Sequence, residues 1–173
     1  EFLFGGAAFL GRGIPVRMHS RTARLMTARC ETCLKNLRQQ VGEAPMRGTV
    51  MYKADQEFDV DEELAPTGRP LRVLYFGHSS GPGDIAVLDV RSGVLFAGGL
   101  LDARRIPDIQ DSDLAGWQRA LAALRALRVS TVVPGHGPAT SSDAVIAAQE
   151  AYLRHLETKV RALVADGASL MGI

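Results

Sequence analysis

Three short runs of β-branched and apolar residues, each ending in a loop rich in glycine or proline, constrain the fold of this chain most strongly. The runs are residues 71–76, 94–97 and 131–133, and the loops after them read Gly77-His78-Ser79-Ser80-Gly81-Pro82-Gly83-Asp84, Gly98-Gly99 and Pro134-Gly135-His136-Gly137-Pro138. Such runs predict buried strands. Two of the three loops contain a histidine, and histidines that follow buried strands are well placed to bind a metal ion at the edge of a sheet.

The remaining elements are predicted from periodicity and capping residues. Apolar residues at helical spacing predict a helix from Arg21 to Val41 with Ser20 as its N-cap, a second helix after Ser112, and a third after residues 141–143. The inward face of the third helix is predicted to contain Ile146, Leu153, Leu156, Val160 and Leu163. Further strands are expected at 14–18, 49–54 and 85–90, with a loop at 59–70. This order favours an α/β (α+β) protein with helices on the outer face of a sheet, and its 173 residues fit one domain, 1–173.

Composition excludes several classes of partner. The 20 basic residues nearly balance the 19 acidic ones, and no basic patch is interleaved with aromatic residues, so nucleic acid is not an expected partner. No apolar run reaches the roughly 20 residues of a membrane span. We therefore expect an ordinary soluble protein. Homo-oligomerisation and the choice between a cytoplasmic and a periplasmic location stay open.

His78 and His136 are the predicted metal ligands. A histidine in a loop is more often a surface or structural residue, but two of them in similar glycine-rich loops after buried strands favour a shared site. Asp102, Asp84 and His19 are further candidates, either as ligands or as residues that orient a ligand.

In this order, the three loops resemble the C-terminal half of the metallo-β-lactamase superfamily, and the resemblance extends from about residue 3 to residue 167. It implies an αββα sandwich, a zinc-type metal centre with one or two ions, and hydrolysis of an ester, thioester, lactone or similar bond by metal-bound hydroxide. It also matches His78 to the third metal-binding histidine of the family and His136 to the last. The segments Arg105-Ile106-Pro107, Asp113-Leu114-x-x-Trp117 and Tyr152-Leu153 resemble the branch of zinc metallohydrolases associated with quinoproteins.

The sequence departs from this family at two places. The leading H-x-H-x-D-H motif is absent, and Gly99 stands where the family usually has an aspartate that bridges two metals. Since the apolar segment at residues 2–10 needs a covering, we expect an N-terminal part of the fold to be missing. Two hypotheses follow. The first is a metal-dependent hydrolase of which residues 1–173 alone are weakly active or inactive. The second is a non-catalytic family member that acts as a binding scaffold.

Cys30 and Cys33 are the only cysteines, and their C-x-x-C spacing admits a redox pair as a third hypothesis. Both fall on the apolar stripe of the predicted first helix, in its middle rather than at its start. This position favours two reduced cysteines packed inward.

Overall fold

The computed structural model describes residues 2–9, 12–66, 68–141 and 143–169. They form a 3-10 helix, three α-helices and seven strands: 3-10 helix Phe2–Phe9, β1 Arg17–His19, α1 Ser20–Val41, β2 Gln56–Phe58, β3 Glu62–Leu64, β4 Leu71–Tyr75, β5 Ile85–Asp89, β6 Val94–Asp102, α2 Leu114–Ala126, β7 Thr131–His136 and α3 Ala144–Ala165. The α/β class predicted from the sequence is confirmed. The chain divides into two compact units, Glu1–Val60 and Asp61–Ile173.

The first unit is built on α1 and a small parallel sheet of β1 and β2. Its core contains Met18, Met26, Cys30 and Tyr52. Helix α1 ends at Gly42, whose φ of 86° is a left-handed conformation that glycine adopts without strain. The residue that caps the start of α1 is His19 rather than the predicted Ser20, because the His19 ring accepts a hydrogen bond from the backbone N–H of Arg21.

The second unit is a five-stranded sheet in the order β3-β4-β5-β6-β7. Strands β3 to β6 are antiparallel neighbours, and β7 pairs with β6 in parallel. Helices α2 and α3 contact each other and β6. The core of this unit includes fully buried side chains from β6, α2 and α3: Leu95, Leu100, Leu101, Trp117, Leu121, Ile146 and Leu153. Burial of these large apolar side chains is the main stabilising contribution to the unit.

Several local predictions were wrong for identifiable reasons. Residues 49–54 adopt no regular secondary structure, and the carbonyl of Thr49 accepts from the Arg38 guanidinium instead of from a neighbouring strand. Conversely, β3 lies within the stretch 59–70, which was predicted to be a loop. Its two glutamates are typical of an edge strand, and the strand lacks the apolar alternation that would have indicated it in the sequence. Cys33 is exposed while Cys30 is buried, and both are free thiols. Val160 and Leu163 are also exposed, because every buried residue of α3 lies in its first half.

Among the residues that the structure describes, no helix combines the length and the apolar character that crossing a bilayer requires.

Candidate functional site

The sheet topology brings the loops of both predicted histidines to the same edge. Strands β4, β6 and β7 run in the same direction, because two antiparallel pairings separate β4 from β6 and β7 is parallel to β6. Their carboxyl ends therefore share one edge of the sheet. His78 follows the end of β4, Asp102 is the last residue of β6, and His136 is the last residue of β7.

The His136 ring contacts one carboxylate and one guanidinium. Its Nδ1 lies 2.9 Å from Oδ1 of Asp102, whose side chain is only 7% exposed. A carboxylate oxygen accepts, so in the neutral imidazole Nδ1 carries the hydrogen and the lone pair is on Nε2. Nη1 of Arg105 lies 2.5 Å from Nε2 and 3.0 Å from Nδ1, so the guanidinium lies close to both ring nitrogens. Asp102 thus fixes the tautomer of His136, and Arg105 places a positive charge beside the ring.

Asp102 reaches His136 because β6 bulges. Phe96 pairs with Val133 and Asp102 pairs with His136, so β6 uses more residues than β7 over the same distance. The register shifts on either side of Gly98, whose φ of 52° is a backbone conformation that favours glycine.

The buried side chain of Gln149 from α3 holds the end of β6 in place. Its Oε1 accepts from the backbone N–H of Asp102 at 2.7 Å, and its Nε2 donates to the Leu100 carbonyl at 3.0 Å. The amide thus bonds two backbone groups in the irregular part of β6.

His78 is held by the segment that leads into α2. Its Nε2 lies 2.7 Å from the carbonyl oxygen of Asp111, which only accepts, so the lone pair of the neutral ring is on Nδ1. The backbone N–H of Asp113 donates to the Ser79 carbonyl at 2.8 Å. Helix α2 approaches the loop so closely that a Cβ on Gly116 would lie 1.9 Å from the His78 carbonyl oxygen. Only glycine fits at this position.

Asp84 braces the same loop, and the Ser80 hydroxyl donates to its Oδ2 at 2.5 Å. Burial raises the pKa of the Asp84 carboxyl above its usual value, while the hydrogen bond from Ser80, and the charge of His78 when its ring is protonated, partly oppose that shift. His19 belongs to the other compact unit, where it is 2% exposed, caps α1 and packs edge-on against the Phe58 ring at 5.7 Å.

A catalytic zinc ion normally has three protein ligands and one open position. Within the described ranges, no group of three or more His, Cys, Asp or Glu side chains could hold a metal ion. A cationic group, the Arg105 guanidinium, lies close to both nitrogens of His136, and Gly99 offers no side-chain ligand. The described residues alone therefore do not fit a catalytic zinc site.

Sequence reasoning missed three of the groups that shape this edge: Arg105 as a partner of His136, Gln149, and the Asp111 carbonyl. Arg105 and Gln149 act through contacts between distant segments, and the Asp111 carbonyl belongs to the backbone. None of them leaves a periodic signal in the sequence.

The chain is similar to proteins of known fold. The sequence profile of the metallo-beta-lactamase superfamily matches residues 4–136. A metallo-beta-lactamase from Pontibacter korlensis superposes with a TM-score of 0.68 at 22% identity, over 87% of this chain and 62% of that one. The metallo-beta-lactamase FIM-1 from Pseudomonas aeruginosa, in its mono-zinc form, superposes with a TM-score of 0.62 at 20% identity, over 88% of this chain and 61% of that one.

At these identities, the structural similarity concerns the fold. The chain spans about three fifths of the length of these two solved structures, at 62% and 61%. No curated protein matches it in sequence.

Proposed function

The chain belongs to the metallo-β-lactamase superfamily, and we propose on that basis that the protein is a metal-dependent hydrolase in which His78 and His136 are ligands of a zinc-type ion. Proteins of this superfamily generally bind zinc, and FIM-1 is a solved example with one ion. The proposed substrate is a small molecule with an ester, thioester, lactone or similar bond. The fold alone does not select among these, because one fold can host many reactions.

The observation that supports the proposal is the position of His78, Asp102 and His136 at the carboxyl ends of three co-directional strands of one sheet. Each imidazole donates one ring N–H to an oxygen acceptor and keeps its lone pair on the other nitrogen. This is the arrangement typical of metal-binding histidines, whose second nitrogen is held by a carboxylate or a carbonyl.

The proposal needs at least one ligand besides the two histidines. Asp102 could supply it by turning from His136 to the metal, or residues outside this sequence could supply it. The family match extends over both compact units, which supports the prediction that residues 1–173 form one domain of this superfamily.

Zinc binding and hydrolysis can be tested together on the 173-residue chain. We expect weak zinc binding, with hydrolysis of a chromogenic ester, thioester or lactone rising in proportion to zinc occupancy. His78→Gln and His136→Gln should each weaken zinc binding by more than about tenfold. His155→Gln, an exposed position on α3, is the matched control and should change neither measurement. Zinc binding that survives both histidine substitutions, or hydrolysis that is independent of zinc, would overturn the proposal.

One observation favours the non-catalytic binding scaffold as a second candidate. The positive Arg105 guanidinium lies 2.5 Å from Nε2 and 3.0 Å from Nδ1 of His136, and its charge disfavours a metal ion at this ring. If the chain binds no zinc even at millimolar concentrations of the metal, the scaffold is the better description.

A further inference from the structure

A cavity of about 470 Å³ lies between the loop after β6 and the first turns of α3. This volume is within the range of small-molecule sites, roughly 300 to 1,000 Å³. All of its lining residues belong to the second compact unit. Asp102 and Arg105 line both this cavity and the candidate site, so the two are neighbours.

The walls of the cavity are mainly apolar, with an excess of positive charge. Pro107, Val145 and the ring of Tyr152 contribute to the apolar part. Arg104 and Arg105 are the basic lining residues, and Asp102 is the acidic one. One carboxylate cannot neutralise two guanidinium groups, so the lining keeps a net positive charge.

Arg105 and Arg104 stand out among the lining residues for different reasons. The Arg105 guanidinium contacts the His136 ring, 2.5 Å from its Nε2. Arg104 has a φ of 61°, a left-handed backbone conformation that is strained for a residue with a Cβ. Strained backbone of this kind is concentrated at functional sites. Helix α3 also begins in the cavity wall at Ala144, and the N-terminal end of a helix favours negative charge.

We propose that this cavity binds a small organic anion, with its carboxylate or phosphate at Arg104 and Arg105 and its apolar body against Pro107, Val145 and Tyr152. Guanidinium groups match the geometry of both kinds of anion, and the apolar wall selects against free inorganic ions. Binding needs no metal and no hydrolysis, so the inference goes beyond the proposed function. In a hydrolase, the same cavity would hold the anionic part of a substrate or product.

Calorimetric titration of the metal-free chain tests this proposal with octanoate, octyl phosphate and the neutral octanamide as probes. We expect octanoate and octyl phosphate to bind at least about tenfold more tightly than octanamide, because only the anions form charge-assisted hydrogen bonds. A preference for one of the two anions would identify the headgroup that the arginines favour.

Substitutions then locate the binding. Arg104→Gln should weaken octanoate binding about tenfold and leave octanamide unchanged. Ala148→Trp, at an exposed position on the cavity wall, should weaken both by filling the space. The control Arg161→Gln removes an exposed arginine that pairs with Glu157 farther along α3, and should have no effect.

Equal affinities for octanoate and octanamide would overturn the proposal. So would octanoate binding that both Arg104→Gln and Ala148→Trp leave intact, or no octanoate binding up to about 10 mM. Since these measurements involve neither zinc nor a hydrolytic assay, failure here leaves the hydrolase proposal standing, and failure of the hydrolase proposal leaves this one standing.

Discussion

Nδ1 of His136 lies 2.9 Å from Oδ1 of Asp102, although 34 positions separate the two residues. The pair joins the ends of two parallel strands, and the Arg105 guanidinium lies close to both nitrogens of the same ring. His136 therefore contacts both a negative and a positive side chain. The carboxylate increases its affinity for a cation, and the guanidinium decreases it.

Replacing Arg105 with glutamine should raise the affinity for zinc by about three- to tenfold, because it removes a positive charge next to the nitrogen that would bind the metal. Competition with a zinc-binding dye measures the change. Arg104→Gln is the matched control, since it removes the neighbouring charge from a side chain for which the structure shows no bond to His136, and it should have a smaller effect. An unchanged or lower affinity in Arg105→Gln would show that His136 is not a zinc ligand.

Replacing Gly116 with alanine should disturb the His78 loop, although Gly116 itself lies on α2. The added Cβ would lie 1.9 Å from a backbone oxygen, so α2 and the loop must separate. We expect a loss of about 1 to 3 kcal/mol in the free energy of unfolding, together with weaker zinc binding. Urea denaturation and the dye assay measure the two effects.

Ala122→Gly is the control for that substitution. It lies on the exposed face of the same helix and should cost only about 1 kcal/mol of helix propensity, without affecting zinc. If Gly116→Ala were as stable as the unmodified protein, the close approach of α2 to the loop would be wrong.

Asp89 should stabilise the second unit at neutral pH and lose this effect in acid. The hydrogen bond from Arg69 is the main cause that lowers the pKa of the Asp89 carboxyl to about 2 from an ordinary 3.8, with smaller contributions from Ser92. Because the folded-state pKa is the lower one, the stabilisation is complete above about pH 4 and disappears as the pH falls towards 2.

An NMR titration of the Asp89 carboxyl carbon measures this pKa directly. In Arg69→Gln the pKa should move up towards its ordinary value, and the acid loss of stability attributable to Asp89 should shrink. Arg72→Gln, at an exposed position on β4, should leave the titration unchanged. A midpoint near 3.8 in the unmodified protein would contradict the contact with Arg69.

Trp117 and Gln149 donate to the same carbonyl oxygen, that of Leu100, at 2.8 Å and 3.0 Å. Apart from the change in packing, Trp117→Phe should therefore lower the free energy of unfolding by only about 1 kcal/mol, because Gln149 still donates to the carbonyl. Trp117→Ala should cost about 3 to 5 kcal/mol, because it empties a fully buried site.

Gln149→Leu should lower the free energy of unfolding by about 1 to 3 kcal/mol, because the backbone N–H of Asp102 loses its acceptor. It should also weaken zinc binding. Urea unfolding of the three variants gives their order. A Gln149→Leu variant as stable as the unmodified protein would contradict the role of Gln149 at the backbone of β6.

The two cysteines should differ in reactivity. Cys33 is exposed, while burial raises the pKa of the Cys30 thiol and disfavours its reactive thiolate. Titration with a thiol reagent should modify one thiol per chain in native protein and two after denaturation. Modification of Cys33→Ser at the native rate would show that Cys30 is accessible.

The sequence predicts the strands and helices of the second unit well where the pattern is local. Residues 71–76 and 85–90 were expected as strands, and the structure has Leu71–Tyr75 and Ile85–Asp89. In the first unit, apolar residues at helical spacing predicted Arg21–Val41, and α1 is Ser20–Val41. Each of these segments carries its own apolar periodicity.

Features that depend on distant partners were not predictable in the same way. The polar β2 forms because it pairs with β1, and β3 forms at the edge of the larger sheet. For the same reason the sequence left Asp102 as one of several candidates, whereas the bulge in β6 brings it to His136. The assignment of His78 and His136 as metal ligands stays a prediction.

The bulge in β6 makes the site sensitive to the length of the chain. A deletion of one residue between Phe96 and Asp102 would leave the pairing of Val94 with Thr131 untouched, yet it would either shrink the bulge or place Ala103 opposite His136. The number of residues in this segment, more than their identity, decides which side chain meets the histidine. Insertions and deletions here would exchange an acidic partner for a neutral or basic one while preserving the sheet.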